Sequence, residues 1–280
     1  MGDILGFFSS IFGYVLNAIY NLDFIKNYGV AIILFTILIK IILLPITIKQ
    51  QKTMKKTAKI QEESKKIQEK YKGNQEKINQ EMLDLYKKEK MSPCSGCFSG
   101  IIQIILLLSV FYLVSQPLTH MRKVDSELIS TYTNQIKEQT QGNVMYPEIN
   151  IIRQIGSQDE RVYINMNFLG LDLSEVPSGD WSNIKVYIIP ALYVVTSVIS
   201  IRISTKNTKK SKEESEKTEK NEVDLASQMN KNMTFMMPFM AVMVALVAPL
   251  GLALYWLTNN VLTIIERLFM NKLINNKEEE

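Results

Sequence analysis

Residues 31–48 read Ala31-Ile-Ile-Leu-Phe-Thr-Ile-Leu-Ile-Lys40-Ile-Ile-Leu-Leu-Pro45-Ile-Thr-Ile48, an apolar run interrupted by one charge. With the residues leading in from position 28, it reaches the roughly 20 residues an α-helix needs to cross a hydrocarbon core of about 30 Å. Lys40 lies well inside that run. A Lys near the middle of a membrane helix costs about 2.5–3.5 kcal/mol on insertion scales unless it finds water, a partner or the interface. Two readings follow. Either the ammonium faces a water-filled cavity within the bilayer, or its long stem snorkels to the cytoplasmic interface, about two helical turns away.

Further apolar blocks at 98–118, 186–203 and 233–265 alternate with charged segments. That segregation excludes one or two ordinary soluble domains and indicates an all-α polytopic membrane protein. The block 233–265 carries no charge and would make a helix of roughly 50 Å, too long for one span. Pro249-Leu-Gly251 divides it into spans at 233–248 and 249–267. Both are short and are accommodated partly by thinning of the surrounding bilayer. The expected count is therefore five transmembrane helices.

The polar segments assign the sides. Residues 1–27 carry apolar side chains at helical spacing, with Ile4, Phe8, Ile11, Val15 and Ile19 on one face, and no basic residue before Lys26. They read as an uncleaved amphipathic helix lying in the membrane interface. Residues 49–91 are dense in Lys, Glu and Gln, with Lys about twice as frequent as Asp and Glu together. A break at Tyr71-Lys-Gly73-Asn74 makes them a helical hairpin, with arms near 50–71 and 75–90. Positive charge places this hairpin and the loop 204–232 in the cytoplasm, and the slightly acidic loop 119–185 outside. The N-terminus is then outside, and the tail 268–280 is cytoplasmic. The core of 204–232 has no apolar residue and reads as disordered.

Enzyme chemistry finds no support in the residues. Cys94 and Cys97 form a CxxC at the mouth of the second span, without the βαβ context of a redox motif. The single His, His120, falls on the opposite side of the membrane. Walker-type loops, nucleophile elbows and HExxH helices are absent from the sequence. No catalytic residue, cofactor, metal or specific nucleic-acid partner is expected.

What stands out is the polar content of the spans. Thr36 and Lys40 lie one turn apart on the first span, Gln103 on the second, and Thr258, Asn259 and Asn260 follow Tyr255 and Trp256 on the fifth. Each has a bland account, such as Thr bonding back to its own helix or aromatic rings packing in a core. Together they are costly in lipid unless they share a polar cavity. The run Met229, Met233, Met236, Met237, Met240 and Met243 would give the fourth span a pliable surface, if it is more than lipid-facing packing. A cationic cavity could pass an anion, bind a substrate or receive a peptide. A small anion channel or transporter with Lys40 as its selectivity charge is the alternative, but the polar groups of the first two spans cluster toward the cytoplasmic half.

Four segments in order carry a family resemblance: Phe35-Thr-Ile-Leu-Ile-Lys40-Ile-Ile-Leu-Leu-Pro45, Gly96-Cys97-Phe-Ser-Gly-Ile-Ile-Gln103, Asn167-Phe-Leu-Gly-Leu-Asp-Leu-Ser174, and Met236-Met-Pro-Phe-Met240 with Pro249-Leu-Gly-Leu-Ala-Leu-Tyr-Trp256-Leu-Thr-Asn-Asn260. With the Lys-rich hairpin after the first span, they resemble the YidC/Oxa/Alb family of membrane protein insertases, in a short bacterial form without the large periplasmic domain. The resemblance implies a hydrophilic groove open to the cytoplasm and lipid and closed outside. It implies groove residues Thr36, Lys40, Gln103, Tyr255 and Trp256. It further implies nucleotide-independent insertion and folding of nascent membrane proteins in the cytoplasmic membrane, with the Sec translocon and ribosome as partners beside the lipid bilayer. The family's groove cation is usually Arg. Lys40 keeps the charge and gives up the guanidinium fork.

Overall fold

A computed structural model describes residues 2–89, 95–140, 144–179, 182–212, 243 and 245–278. In chain order the helices are α1 (Gly2–Tyr20), α2 (Tyr28–Lys70), α3 (Gln75–Lys88), α4 (Ser95–Ser115), α5 (Ser126–Thr140), α6 (Pro147–Ile155), α7 (Ile188–Lys212) and α8 (Leu250–Glu278). A π-helical turn, Leu118–Arg122, follows α4, and a 3₁₀ turn, Ile184–Tyr187, leads into α7. Strands β1 (Asn167–Phe168) and β2 (Leu171–Asp172) make a two-residue antiparallel ladder closed by Leu169 and Gly170, both at positive φ. Among the described residues the other regular elements are helical. It divides into two compact units, 1–39 with 110–280, and 40–109.

Among the described residues, two stretches are long and apolar enough to cross a membrane, Tyr28–Gln51 and Ile184–Ile203. Ile4–Tyr20 and Ile104–Ser115 are shorter apolar helices. Residues 213–242 and 244 lie outside the described set, and with them most of the loop 204–232 and of the fourth span expected at 233–248. Cys94 lies outside it as well. Of the expected fifth span and tail, 250–278 is one helix.

The second unit holds most of α2, with α3 and the first part of α4. The first apolar block and the first arm are a single helix, for α2 runs 43 residues with Pro45 inside it. Proline removes one ladder hydrogen bond and crowds the preceding turn, yet here it does not end the helix. At the tip, Gly73 takes φ +90, a conformation cheap only for glycine. Asn74 caps α3 by accepting from the Lys77 N–H at 3.1 Å. Tyr71 fixes the corner: its hydroxyl donates to Glu81 at 3.0 Å, and Lys70 and Lys77 stand 5.1 and 5.2 Å from its ring. Ile60 and Leu85 are the buried apolar residues described in this unit, while Leu83 is exposed.

The first unit is organised by the segment 165–175, which binds helix starts. The Tyr28 N–H donates to Asn165 O at 3.0 Å, and Asn27 both accepts from the Val30 N–H at 3.1 Å and donates to Asn167 O. At α8, the Leu250 N–H donates to Glu175 O at 2.8 Å and the Gly251 N–H to Leu173 O at 2.9 Å. These bonds satisfy N-terminal N–H groups that a helix cannot pair internally. The turn after α4 is held likewise. The buried Glu148 carboxylate accepts from the Leu118 N–H at 2.7 Å, the Thr119 N–H at 3.0 Å and the Thr119 hydroxyl at 2.5 Å. Burial nonetheless raises the Glu148 pKa above the usual carboxylate range, the three donors only partly offsetting it. On the exposed rim, Arg161 holds Asp159 well below that range through a two-pronged bond, helped by the Tyr132 hydroxyl.

Helix α1 packs into the same assembly. A Cβ on Gly13 would stand 1.9 Å from His120 O, so only glycine permits this approach of α1 to the π-helical turn. Phe12 meets the Phe35 ring at 5.9 Å, and the Tyr20 hydroxyl accepts the Asn165 N–H at 2.9 Å. Burying Phe12, Leu16 and Tyr20 on one face leaves Ile4, Phe7, Ile11 and Tyr14 exposed on the other. The helix is apolar on two faces, not one.

Candidate functional site

Thr36, on α2, is buried, and its hydroxyl donates to Ile32 O at 2.6 Å. Its hydrogen-bonding capacity is thus spent partly within its own helix, the bland reading given above. Lys40 follows one turn later and is half-buried. It stands twelve residues beyond Tyr28, about 18 Å along the helix axis. On α8, Tyr255 is buried and Trp256 half-buried, its ring 6.2 Å from Tyr193 of α7. Gln103 lies within α4.

Within the first unit, α8 begins close to α2. A Cβ on Gly251 would lie 3.5 Å from the Tyr28 ring and 3.8 Å from the Ile32 side chain. The start of α8 therefore lies against the first turns of α2. Thr36, Tyr255 and Trp256 belong to this unit, and Lys40 and Gln103 to the other.

The polar trio after Trp256 does not act as a set. The Thr258 hydroxyl donates to Leu254 O at 2.8 Å within its own helix. The Asn260 amide instead reaches α7, donating to Thr196 Oγ1 at 3.2 Å and Ser197 Oγ at 2.9 Å. Further along, Arg267 Nη1 donates to Ser200 O and Oγ, both at 3.3 Å. The rungs Tyr193 to Trp256, Thr196 and Ser197 to Asn260, and Ser200 to Arg267 ascend together, so α7 and α8 are parallel. The hydroxyl run Thr196-Ser197-Val-Ile-Ser200 inside an apolar span was the available sequence signal for this seam; Glu148, in the polar segment 119–185, offered none. Among the described residues, no group of His, Cys, Asp and Glu is placed to hold a metal ion.

Comparison with known proteins adds an independent line. The family model described as 60Kd inner membrane protein matches residues 20–278. A membrane protein insertase YidC of Rickettsia felis is 26% identical over 263 residues, spanning 92% of this chain and 38% of the relative. The protein of the same name from Rickettsia prowazekii is 25% identical over 259 residues, with the same shares. That of Francisella tularensis subsp. novicida is 35% identical over 111 residues, 40% of this chain and 20% of the relative. The chain thus spans well under half the length of these relatives.

Proposed function

Because this chain belongs to the 60Kd inner membrane protein family, we propose that it is a membrane protein insertase and membrane chaperone of the bacterial cytoplasmic membrane, working without nucleotide hydrolysis. The observation that carries the reading is the binding of helix starts by one loop. Segment 165–175 holds the N-terminal N–H groups of both α2 and α8, and Glu148 holds the turn after α4. Helix ends tied together this way support a bundle closed at the outer face. Lys40, about 18 Å in from Tyr28, would then lie in the cytoplasmic half of a core of about 30 Å.

In this reading five spans, 28–48, 98–118, 186–203, 233–248 and 249–267, surround a cytoplasm-open groove, with the N-terminus outside and the C-terminus inside. The parallel run of α7 and α8 supports that order, because the third and fifth spans must cross in one direction. Thr36, Lys40, Gln103, Tyr255 and Trp256 line the groove. A nascent apolar segment docks on the cytoplasmic hairpin, and its polar flank enters the groove near Lys40, which attracts an acidic side chain as it leaves water. The segment then passes sideways into thinned lipid, driven by about 25 cal/mol per Å² of apolar surface buried. The Sec translocon and the ribosome are further partners by family likeness.

The test is reconstitution into liposomes with a single-span substrate bearing a short acidic outer tail. Wild type should protect the tail from external protease, Lys40→Arg should retain that activity, and Lys40→Ala should lose it. Protection no better than in empty liposomes refutes the insertase reading. Equal activity of Lys40→Ala returns Lys40 to a snorkelling role, and anion flux abolished by Lys40→Ala, without insertion, favours a channel.

A further inference from the structure

The π-helical turn after α4 ends in two adjacent cations, Arg122 and Lys123, and neither forms an ion pair among the described residues. Lys123 takes a left-handed backbone conformation, φ 56, that closes the turn. Its ammonium stands 4.7 Å from the centre of the Tyr14 ring, a cation–π approach that favours a partly desolvated charge. Arg122 donates to Glu160 O at 3.4 Å, a long bond that leaves most of its donor fork unused.

Both cations line a recess of about 740 Å³, with Asp125, Glu127, Thr131 and Arg161 around them. Three cations face two carboxylates, so the sum alone is weakly positive. Their commitments differ, however. Arg161 is bound to Asp159 at 2.7 Å, and Asp125 accepts the Glu127 N–H at 3.0 Å in opening α5. Arg122 and Lys123 hold charge that no ion pair among the described residues neutralises.

Tyr14 also ends a stripe. Ile4, Phe7, Ile11 and Tyr14 recur at spacings of three and four on one face of α1, between 42% and 65% exposed. This is the face turned away from Phe12 and Leu16. A cationic recess leading onto an apolar strip, beside the end of a membrane helix, has the outline of a phospholipid with its phosphate at one end and its chains along the other.

We propose that Arg122 and Lys123 bind the phosphate of an anionic phospholipid of the outer leaflet, whose acyl chains lie along Ile11, Phe7 and Ile4. The assignment to the outer leaflet rests on the topology proposed above. Arg offers a planar fork to phosphate oxygens and Lys a point charge, while the Tyr14 ring sets the height of the ammonium at the boundary between headgroup and chain. An acidic peptide would have no use for the apolar stripe, which is why the lipid is the occupant.

The experiment uses the full chain reconstituted in nanodiscs of mixed phosphatidylcholine and phosphatidylglycerol, then extracted, with retained lipid measured by native mass spectrometry. Wild type should retain phosphatidylglycerol preferentially. The double variant Arg122→Gln, Lys123→Gln should lose about tenfold of that preference, and the exchange Arg122→Lys, Lys123→Arg should keep it. Phe7→Ser with Ile11→Ser, which leaves both cations in place, should weaken retention of either lipid. Unchanged preference in the double variant overturns the proposal. So does displacement of the lipid by glycerol phosphate as effective as that by a short-chain phosphatidylglycerol, since the site would then be a simple anion site. Should the double variant fail to fold, Lys123→Gln alone serves, with the same outcomes. Tail insertion is read on the same samples: lost insertion with lipid preference intact counts against the insertase reading and not against this site.

Discussion

The Asn260 amide donates to Ser197 Oγ at 2.9 Å across the boundary between α8 and α7, and to Thr196 Oγ1 at 3.2 Å. In a lipid-facing environment these groups have few other partners, which makes the pair a fastener between parallel helices. Asn260→Ala should destabilise the protein by about 1 kcal/mol, and a cycle with Ser197→Ala should return a coupling near 0.6 kcal/mol, typical of interhelical bonds in membranes. Unfolding in mixed micelles measures both. Strictly additive single variants would mean the bond does not hold the seam.

Asn27 serves two structures at once, capping α2 through the Val30 N–H and reaching Asn167 of the segment 165–175. Asn27→Ala should cost about 1–2 kcal/mol, as loss of a helix cap does. Asn27→Ser keeps the capping oxygen and should cost distinctly less. Hydrogen exchange separates the roles: the Val30 amide should become unprotected in the Ala variant and stay protected in the Ser variant.

Gly13 and Gly6 make a matched pair on α1. A Cβ on Gly13 meets backbone atoms of His120 that cannot yield, whereas one on Gly6 meets nothing within 4 Å. Gly13→Ala should destabilise by about 1–3 kcal/mol or detach α1. Gly6→Ala should be neutral or gain up to about 1 kcal/mol of helix propensity. Limited proteolysis within α1 distinguishes the two variants directly.

Glu148 carries a pH signature. Burial raises its pKa in the folded chain, so over the interval between the ordinary carboxylate value and the raised one the folded state holds more protons than the unfolded state. Stability contributed by this group therefore increases as pH falls through that interval. Relative to Glu148→Gln, which cannot titrate, wild type should gain in melting temperature on acidification. Glu148→Ala leaves the Leu118 and Thr119 N–H groups unpaired and should cost about 1–3 kcal/mol at every pH. A wild type that loses ground to Glu148→Gln on acidification would refute the burial argument.

The residues alone were enough for some of this. Segregated apolar blocks, a charge at Lys40 and the break at Gly73 follow from periodicity and cost, because water and lipid sort side chains locally whatever the rest of the chain does. They indicated a helical membrane protein, and they singled out Thr36, Lys40, Gln103, Tyr255 and Trp256. The same reasoning treated Thr258, Asn259 and Asn260 as a set, whereas Asn260 binds α7. Which partner satisfies a polar group depends on residues more than sixty positions away, and periodicity is blind to them. The tertiary structure alone decided that one loop holds the starts of α2 and α8, that Glu148 is buried beneath the turn after α4, and that α1 turns a second apolar face outward beside Arg122 and Lys123. Each is a contact between segments distant in sequence, where the energy lies in desolvated hydrogen bonds and in close approach at Gly13, and neither leaves a pattern in the sequence.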